Sequence, residues 1–165
     1  MKKYAHKTKP YEHQETVFRD SWDVKNYALF MEMGTGKSKI AIDTIGVLYE
    51  EGRIDTAFIV APKGVFHNWS QKEIIAHLPD RIERRVLSWQ PNITKTFKKE
   101  FEEFCKPGCL RIFVMNVEAF STSKGATTAA WFGRLFGPKG LMVVDESTTI
   151  KNRKAARTKA VVKTG

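Results

Sequence analysis

Met31-Glu32-Met33-Gly34-Thr35-Gly36-Lys37-Ser38 is the stretch that decides the fold. An apolar run at 27–31 leads into it. An amphipathic stretch at 37–50 leads out, with Ile40, Ala41, Ile42, Ile45, Val47 and Leu48 near helical spacing. Gly52 comes next as a helix stop. Strand, glycine-rich turn, Lys-Ser and helix is the arrangement that cradles phosphate, usually spelled G-x-x-x-x-G-K-[ST]. Its end matches at Gly36, Lys37 and Ser38, while Met31 stands where the first glycine belongs. The physical requirement survives that departure. Gly34 and Gly36, flanking Thr35, let the backbone bend so that its N–H groups converge on phosphate oxygens. The helix N-terminus adds partial positive charge. Lys37 is placed to reach the β- and γ-phosphates, and the Ser38 hydroxyl to bind Mg²⁺.

Outward from this loop, short apolar runs recur at 56–61, 86–89, 111–115 and 141–144. Each is rich in Val, Ile, Phe or Leu and lacks polar alternation, as in strands buried on both faces of a parallel sheet. Amphipathic stretches lie between them, at 10–22, 65–78, 94–104 and 127–136, and a basic, Ala-rich one closes the chain at 154–163. Pro79 stops the second of these. Phe97, Phe101 and Phe104 form a stripe read as core, as do Trp69 and Trp131. Strand and helix in alternation predict an α/β fold, a three-layer sandwich with a mainly parallel sheet. In such sheets ligands sit beyond the carboxyl ends of the strands, so the residues just after each run carry the chemistry.

The last run ends in two carboxylates, Leu141-Met142-Val143-Val144-Asp145-Glu146. Paired with the loop, Asp145 is the expected Mg²⁺ partner and Glu146 the residue that polarises an attacking water. Lys37, Asp145 and Glu146 are thus the expected catalytic set, with Ser38 and Asp145 at the metal. Tyr11 is read either as an adenine-stacking ring or as a core aromatic.

Composition narrows the class. The 165 residues make one domain's worth of chain, 42% apolar, which favours a globular domain over disorder. No apolar run reaches the roughly 18 residues needed to cross a bilayer. No apolar segment succeeds the basic N-terminus, so an intracellular, cytoplasmic protein without membrane attachment is expected. Cys105 and Cys109 lack a second ligand pair, which argues against zinc. The net charge of +10 favours a polyanionic partner. Lys2, Lys3, Lys7 and Lys9 open the chain without an acid, and Lys151, Arg153, Lys154, Arg157, Lys159 and Lys163 close it. Either run is also read as a solvated face.

Together these segments resemble superfamily II helicases, and within them the Swi/Snf-type ATPases with their viral and bacterial relatives. Glu32-Met33-Gly34-Thr35-Gly36-Lys37-Ser38 resembles that branch's Glu-Met-Gly-Leu-Gly-Lys-Thr. Asp145-Glu146-Ser147-Thr148-Thr149-Ile150-Lys151-Asn152 resembles its Asp-Glu-Ala-His-Arg-Ile-Lys-Asn. Lys9-Pro10-Tyr11-Glu12-His13-Gln14 resembles an Arg-Pro-Tyr-Gln segment, which implies that Gln14 reads the adenine edge. Ala61-Pro62-Lys63 with Asn68-Trp69 resembles a proline turn that touches the DNA backbone, and Val114-Met115-Asn116-Val117-Glu118 sits where the family carries Thr-Tyr-Glu. The resemblance implies nucleotide contacts from Tyr11, Gln14, Gly34, Thr35, Gly36, Lys37 and Ser38. It implies nucleic-acid contacts from Lys63, Asn116 and Lys151. Thr148 replaces a histidine that links nucleotide to strand binding in many relatives.

The resemblance sets the expectation of a single N-terminal RecA-like lobe over 1–165, with ATP and Mg²⁺ as cofactors and duplex DNA as partner. The intact protein would be an ATP-driven translocase. A second RecA-like lobe with its arginine finger is expected to be absent from this chain, leaving a lobe that binds ATP but hydrolyses it poorly. Two other readings stay open: a different viral P-loop motor such as a DNA-packaging ATPase, and a non-catalytic basic module that binds nucleic acid by charge.

Overall fold

The computed structural model describes residues 4–146 and 155–164. Four strands form one sheet: β1 (Thr56–Ala61), β2 (Arg84–Ser88), β3 (Leu110–Asn116) and β4 (Gly140–Val144). Their order is β2-β3-β1-β4, and each neighbouring pair is parallel. The central strands β1 and β3 are almost wholly buried, which is why they read as unbroken apolar runs. Register runs from Thr56 opposite Arg111 to Ala61 opposite Asn116, and from Thr56 opposite Gly140 to Val60 opposite Val144.

Helices cover both faces. On one lie α1 (Glu12–Ser21) and α2 (Lys37–Glu50), with α3 (Phe66–Asn68), a π-helical turn (Trp69–Glu73) and α4 (Ile74–His77) forming one continuous helical segment. Ala57, Ile59, Ala61, Ile112 and Val114 of the sheet meet Phe18, Ile42, Ile45, Trp69 and Ile74 there. On the other face lie α5 (Lys95–Cys105), α6 (Ser123–Phe136) and α7 (Ala156–Thr164). Phe58, Phe113, Phe104 and Phe132 form an aromatic core on that side, with Phe113 and Phe132 stacked at 4.8 Å. Phe97, Phe101 and Trp131 pack partly buried against it. Alternate residues of β1 thus serve two cores, as the period-two geometry of a strand requires. The three-layer sandwich expected from the sequence is the one that forms.

Local signals place the ends. α2 starts at Lys37 and ends with Gly52 in the left-handed region at φ 69°. α5 is capped by the Thr94 side chain accepting from Phe97 N–H, and α6 by Thr122 accepting from Gly125 N–H. The 65–78 stretch is helical and stops before Pro79, but Val65 and Ile75 of its expected apolar face are exposed. The buried side is Phe66, Trp69, Ile74 and Leu78. The wide step from Trp69 to Ile74 matches the π-turn, where Ile74 N–H donates to Trp69 C=O.

One expected strand does not form. Residues 27–31 form no regular element and join no ladder. Leu29 and Met31 pack against the core, while Tyr27 is half exposed and Phe30 is 95% exposed. An apolar run becomes a sheet strand only with a ladder neighbour, and among the described residues this segment pairs with no strand. Accordingly β4 pairs with β1 alone among the described residues, and its residues are only half buried. Among the described residues, no helix is long and apolar enough to cross a membrane.

Candidate functional site

The glycine loop between 33 and 36 has the backbone the sequence demands. Gly34 and Gly36 sit at φ 78° and 89°, in the left-handed region that costs a side-chain-bearing residue about 1 kcal/mol or more. Gly36 is the N-cap of α2 and no side chain caps that end. The first-turn N–H groups of α2 therefore lack intrahelical acceptors, and no acid lies in that turn. Ser38 is on this first turn. The Lys37 ammonium donates to the carbonyls of Met31 and Glu32 at 3.0 and 2.8 Å, so it lies over the loop that precedes it. Thr35 Oγ1 donates to Glu32 C=O at 2.7 Å and tightens the same turn.

α1 fastens the loop from outside. Gln14 is buried, accepts from Tyr11 N–H at 3.1 Å and donates to Thr35 C=O at 3.0 Å. His13 Nε2 lies 3.1 Å from the same carbonyl. A Cβ on Gly36 would stand 2.3 Å from Gln14 Nε2, so Gly36 is needed for space as well as for its backbone angle. Gln14 keeps one N–H and one lone pair for a ligand. Tyr11 is 71% exposed and stacks on His13 at 5.9 Å, which rules out the core-aromatic reading.

Asp145 comes directly after β4. Its N–H donates to Val60 C=O at 2.8 Å, extending the β1–β4 pairing past the last strand residue. Trp69 Nε1–H donates to Asp145 Oδ2 at 2.9 Å. Glu146 has φ 50°, the one positive-φ residue other than glycine among the described residues. Held backbone strain of this kind, about 1–3 kcal/mol, gathers at functional sites.

At the same end of the sheet, beyond β1 and β3, Lys63 N–H donates to Glu118 Oε2 at 3.0 Å and Asn116 Nδ2 donates to it at 3.2 Å. Lys63 is exposed. Asn116 is 7% exposed, so it braces the turn through Glu118 rather than presenting its own amide outward. Burial pushes the Glu118 carboxyl up, but its own backbone N–H, the Asn116 amide, Lys63 N–H and the nearby Arg157 charge outweigh this and hold it below the usual value. Arg157 also donates to Ser121 Oγ at 3.1 Å. Lys151 and the rest of the segment from Ser147 to Lys154 lie outside the described residues. Lys7, read with the basic N-terminus, is spent on the fold: its ammonium meets Asp80 at 2.6 Å and Ile75 C=O at 2.8 Å.

Sequence reasoning misses several of these partners. It assigns Trp69 to the core, which is right for its ring and silent about its N–H. Glu118 stands inside the 114–118 segment, where its residue type alone gives it no role. The buried pair Lys39–Asp43, at 2.8 Å on α2, escapes it too, though charges four apart on an apolar face are its signal. His6 lies between Asp43, at 2.9 Å, and Glu15 of α1, at 3.2 Å. Its Nδ1 is close enough to Asp43 for ion pairing but misaligned for a hydrogen bond. This cluster ties the segment before α1 to the back of α2 and so supports the loop at its front.

The SNF2-related domain family matches residues 11–164. No curated protein matches the chain. Among solved structures, the chain is similar to the Sulfolobus solfataricus SWI2/SNF2 ATPase core in complex with dsDNA, with a TM-score of 0.72 and 18% sequence identity. That likeness covers 99% of this chain and 31% of the other, so this chain spans about a third of that protein's length. At such identity it carries the fold, which agrees with the parallel sheet and its helical layers.

Proposed function

Because the chain belongs to the SNF2-related domain family, we propose that it is the ATP-binding lobe of a DNA-dependent ATPase that translocates on duplex DNA. The observation that carries this reading is Lys37 at the uncapped start of α2, behind two left-handed glycines, with its ammonium on loop carbonyls. Those carbonyls are neutral acceptors, and a phosphate oxyanion outcompetes them for the ammonium because it adds attraction between opposite full charges to the hydrogen bond. The N–H groups of the loop and of the first turn of α2 take the remaining phosphate oxygens. The open space around a Gly34 Cβ position leaves room for close approach.

The residues also fit a hard divalent cation. Mg²⁺ prefers one or two carboxylates, a hydroxyl and phosphate oxygens, and Asp145 and Ser38 supply the protein's share. Bound with the nucleotide, it neutralises charge on the phosphate oxygens. Glu146 then orients and polarises the attacking water. Tyr11, exposed beside Gln14, offers a ring face to adenine, and the free Gln14 groups its edge. Lys63 meets the DNA backbone from a turn braced by Glu118 and Asn116, and Lys151 is a further DNA-contacting residue. The arginine that stabilises the departing phosphates belongs to a second RecA-like lobe, so the 165 residues alone bind ATP and turn it over slowly.

Calorimetry of ATP·Mg²⁺ with the wild-type chain and Lys37→Ala tests the reading, beside a turnover assay with duplex DNA. Affinity should fall at least about tenfold in the variant, the loss of a charge-assisted contact of about 1.5–3 kcal/mol. Wild-type protein without nucleotide affinity would refute the assignment of the loop. Steady multiple-turnover hydrolysis by the chain alone would refute the need for a second lobe.

A further inference from the structure

Trp69 is 3% exposed, in a π-helical turn on the face of the sheet that carries α2. Its one polar side-chain group, the indole N–H, donates to Asp145 Oδ2 at 2.9 Å across 76 residues of sequence. Backbone pairing to Val60 fixes where Asp145 starts, but not where its carboxylate points. Two side-chain torsions remain, and the second is broad and two-fold for an aspartate. A donor on Oδ2 selects one setting and leaves Oδ1 to face away from the indole. The donor is itself rigid, because the ring is packed among Phe66, Ile74 and the β1 residues of the core.

We infer that Trp69 is a positioning residue for Asp145: its indole N–H fixes the carboxylate so that Oδ1 faces the Mg²⁺ of the bound nucleotide. This rests on the nucleotide reading given above. Carboxylates that serve metals are held by such outer hydrogen bonds, and removing one typically weakens metal binding by about 10- to 100-fold. A neutral donor suits the task, since it orients the carboxylate without cancelling its charge. The π-turn contributes by placing Trp69 and Ile74 on the same buried side with a five-residue step, so the ring packs and its N–H still reaches the end of β4.

The test is Trp69→Phe, which keeps an aromatic ring and loses the N–H. ADP affinity is measured by calorimetry with and without Mg²⁺, on the wild type and the variant. The gain in ADP affinity that Mg²⁺ brings should shrink about tenfold in the variant, while metal-free ADP affinity stays unchanged. In parallel, the Trp69 indole ¹⁵N–¹H signal of the wild type should shift when Mg²⁺ is added to the ADP complex. That measurement does not depend on whether the variant folds. A full Mg²⁺ gain in the variant, equal loss of metal-free and metal-dependent affinity, or an indole signal blind to Mg²⁺ would each overturn the inference while leaving the nucleotide reading intact. Wild-type protein that binds no ADP under either condition would overturn both.

Discussion

The two arms of the candidate site are held by different physics. Asp145 sits at the end of a backbone ladder, with β4 paired to β1 from Thr56 to Val60 and a further bond from Asp145 N–H to Val60. The glycine loop comes after a segment outside the sheet, where Phe30 and Met33 are 95% and 91% exposed. Side chains fasten it instead: Gln14 and His13 on Thr35 C=O, Lys37 on Met31 and Glu32. Ladder bonds form together with strand burial. Side-chain bonds contribute about 0.5–1.5 kcal/mol each and break singly. The carboxylate arm is therefore the more firmly fixed of the two, and the loop arm is the one with the freedom to adjust.

Substitutions can break or sharpen that contrast. The largest effect should come from Gly36→Ala, which meets both the left-handed backbone and the Gln14 amide. A loss of about 2–3 kcal/mol in urea unfolding is expected. Val143→Ala, in the ladder arm, removes two partly buried carbons and should cost about 1.5 kcal/mol. Gly34→Ala, with nothing within 4 Å of its Cβ, should cost about 1 kcal/mol. Equal costs at the two glycines would mean that Gln14 does not fasten the loop.

Glu118 gives a smaller effect with a sign set by pH. Its folded carboxyl titrates below the ordinary value of 4.5, so its contribution is present above that value and fades as pH falls through the lower folded value. The difference in melting temperature between wild type and Glu118→Gln should be level at neutral pH and close in acid. Persistence of the full gap in strong acid would detach Glu118 from the Lys63–Asn116 brace. Smallest of all is Phe30→Ala, expected to change stability by less than about 0.5 kcal/mol by the same urea titration. A larger loss would show that 27–31 is packed more firmly than its exposure indicates.

Much of this is readable from residues. The 37–50 helix, the Gly52 stop, the stop before Pro79 and the two central strands are legible, because each is set by local chemistry or by unbroken apolar character. The glycines of the loop are legible for the same reason. The 27–31 run misleads because strand pairing depends on the segments alongside, and one apolar run looks like another. Trp69 is half legible: its ring obeys helical burial, but the partner of its N–H lies at the end of a distant strand. Asn116 is correctly placed at the end of β3, yet nothing local says that its amide turns inward to Glu118. Lys39 and Asp43 escape because a charged pair inside an apolar helix face reads as noise unless their shared spacing is noticed.

The π-turn has a consequence for the spelling of the chain rather than for its chemistry. Phe66 lies before it, Trp69 opens it and Ile74 and Leu78 come after it, and all four face the same core. A helix turns about 100° per residue and the π-turn already holds one extra, so losing a residue between Ser70 and Glu73 would restore an α-turn in phase, while adding one would swing the two halves apart by about that angle. Either the indole or Ile74 would then leave the interior. This stretch should accept many exchanges of letter at Gln71 and Lys72 but no added residue. The upper limit on its length, more than the identity of its exposed residues, is the property on which the end of β4 relies.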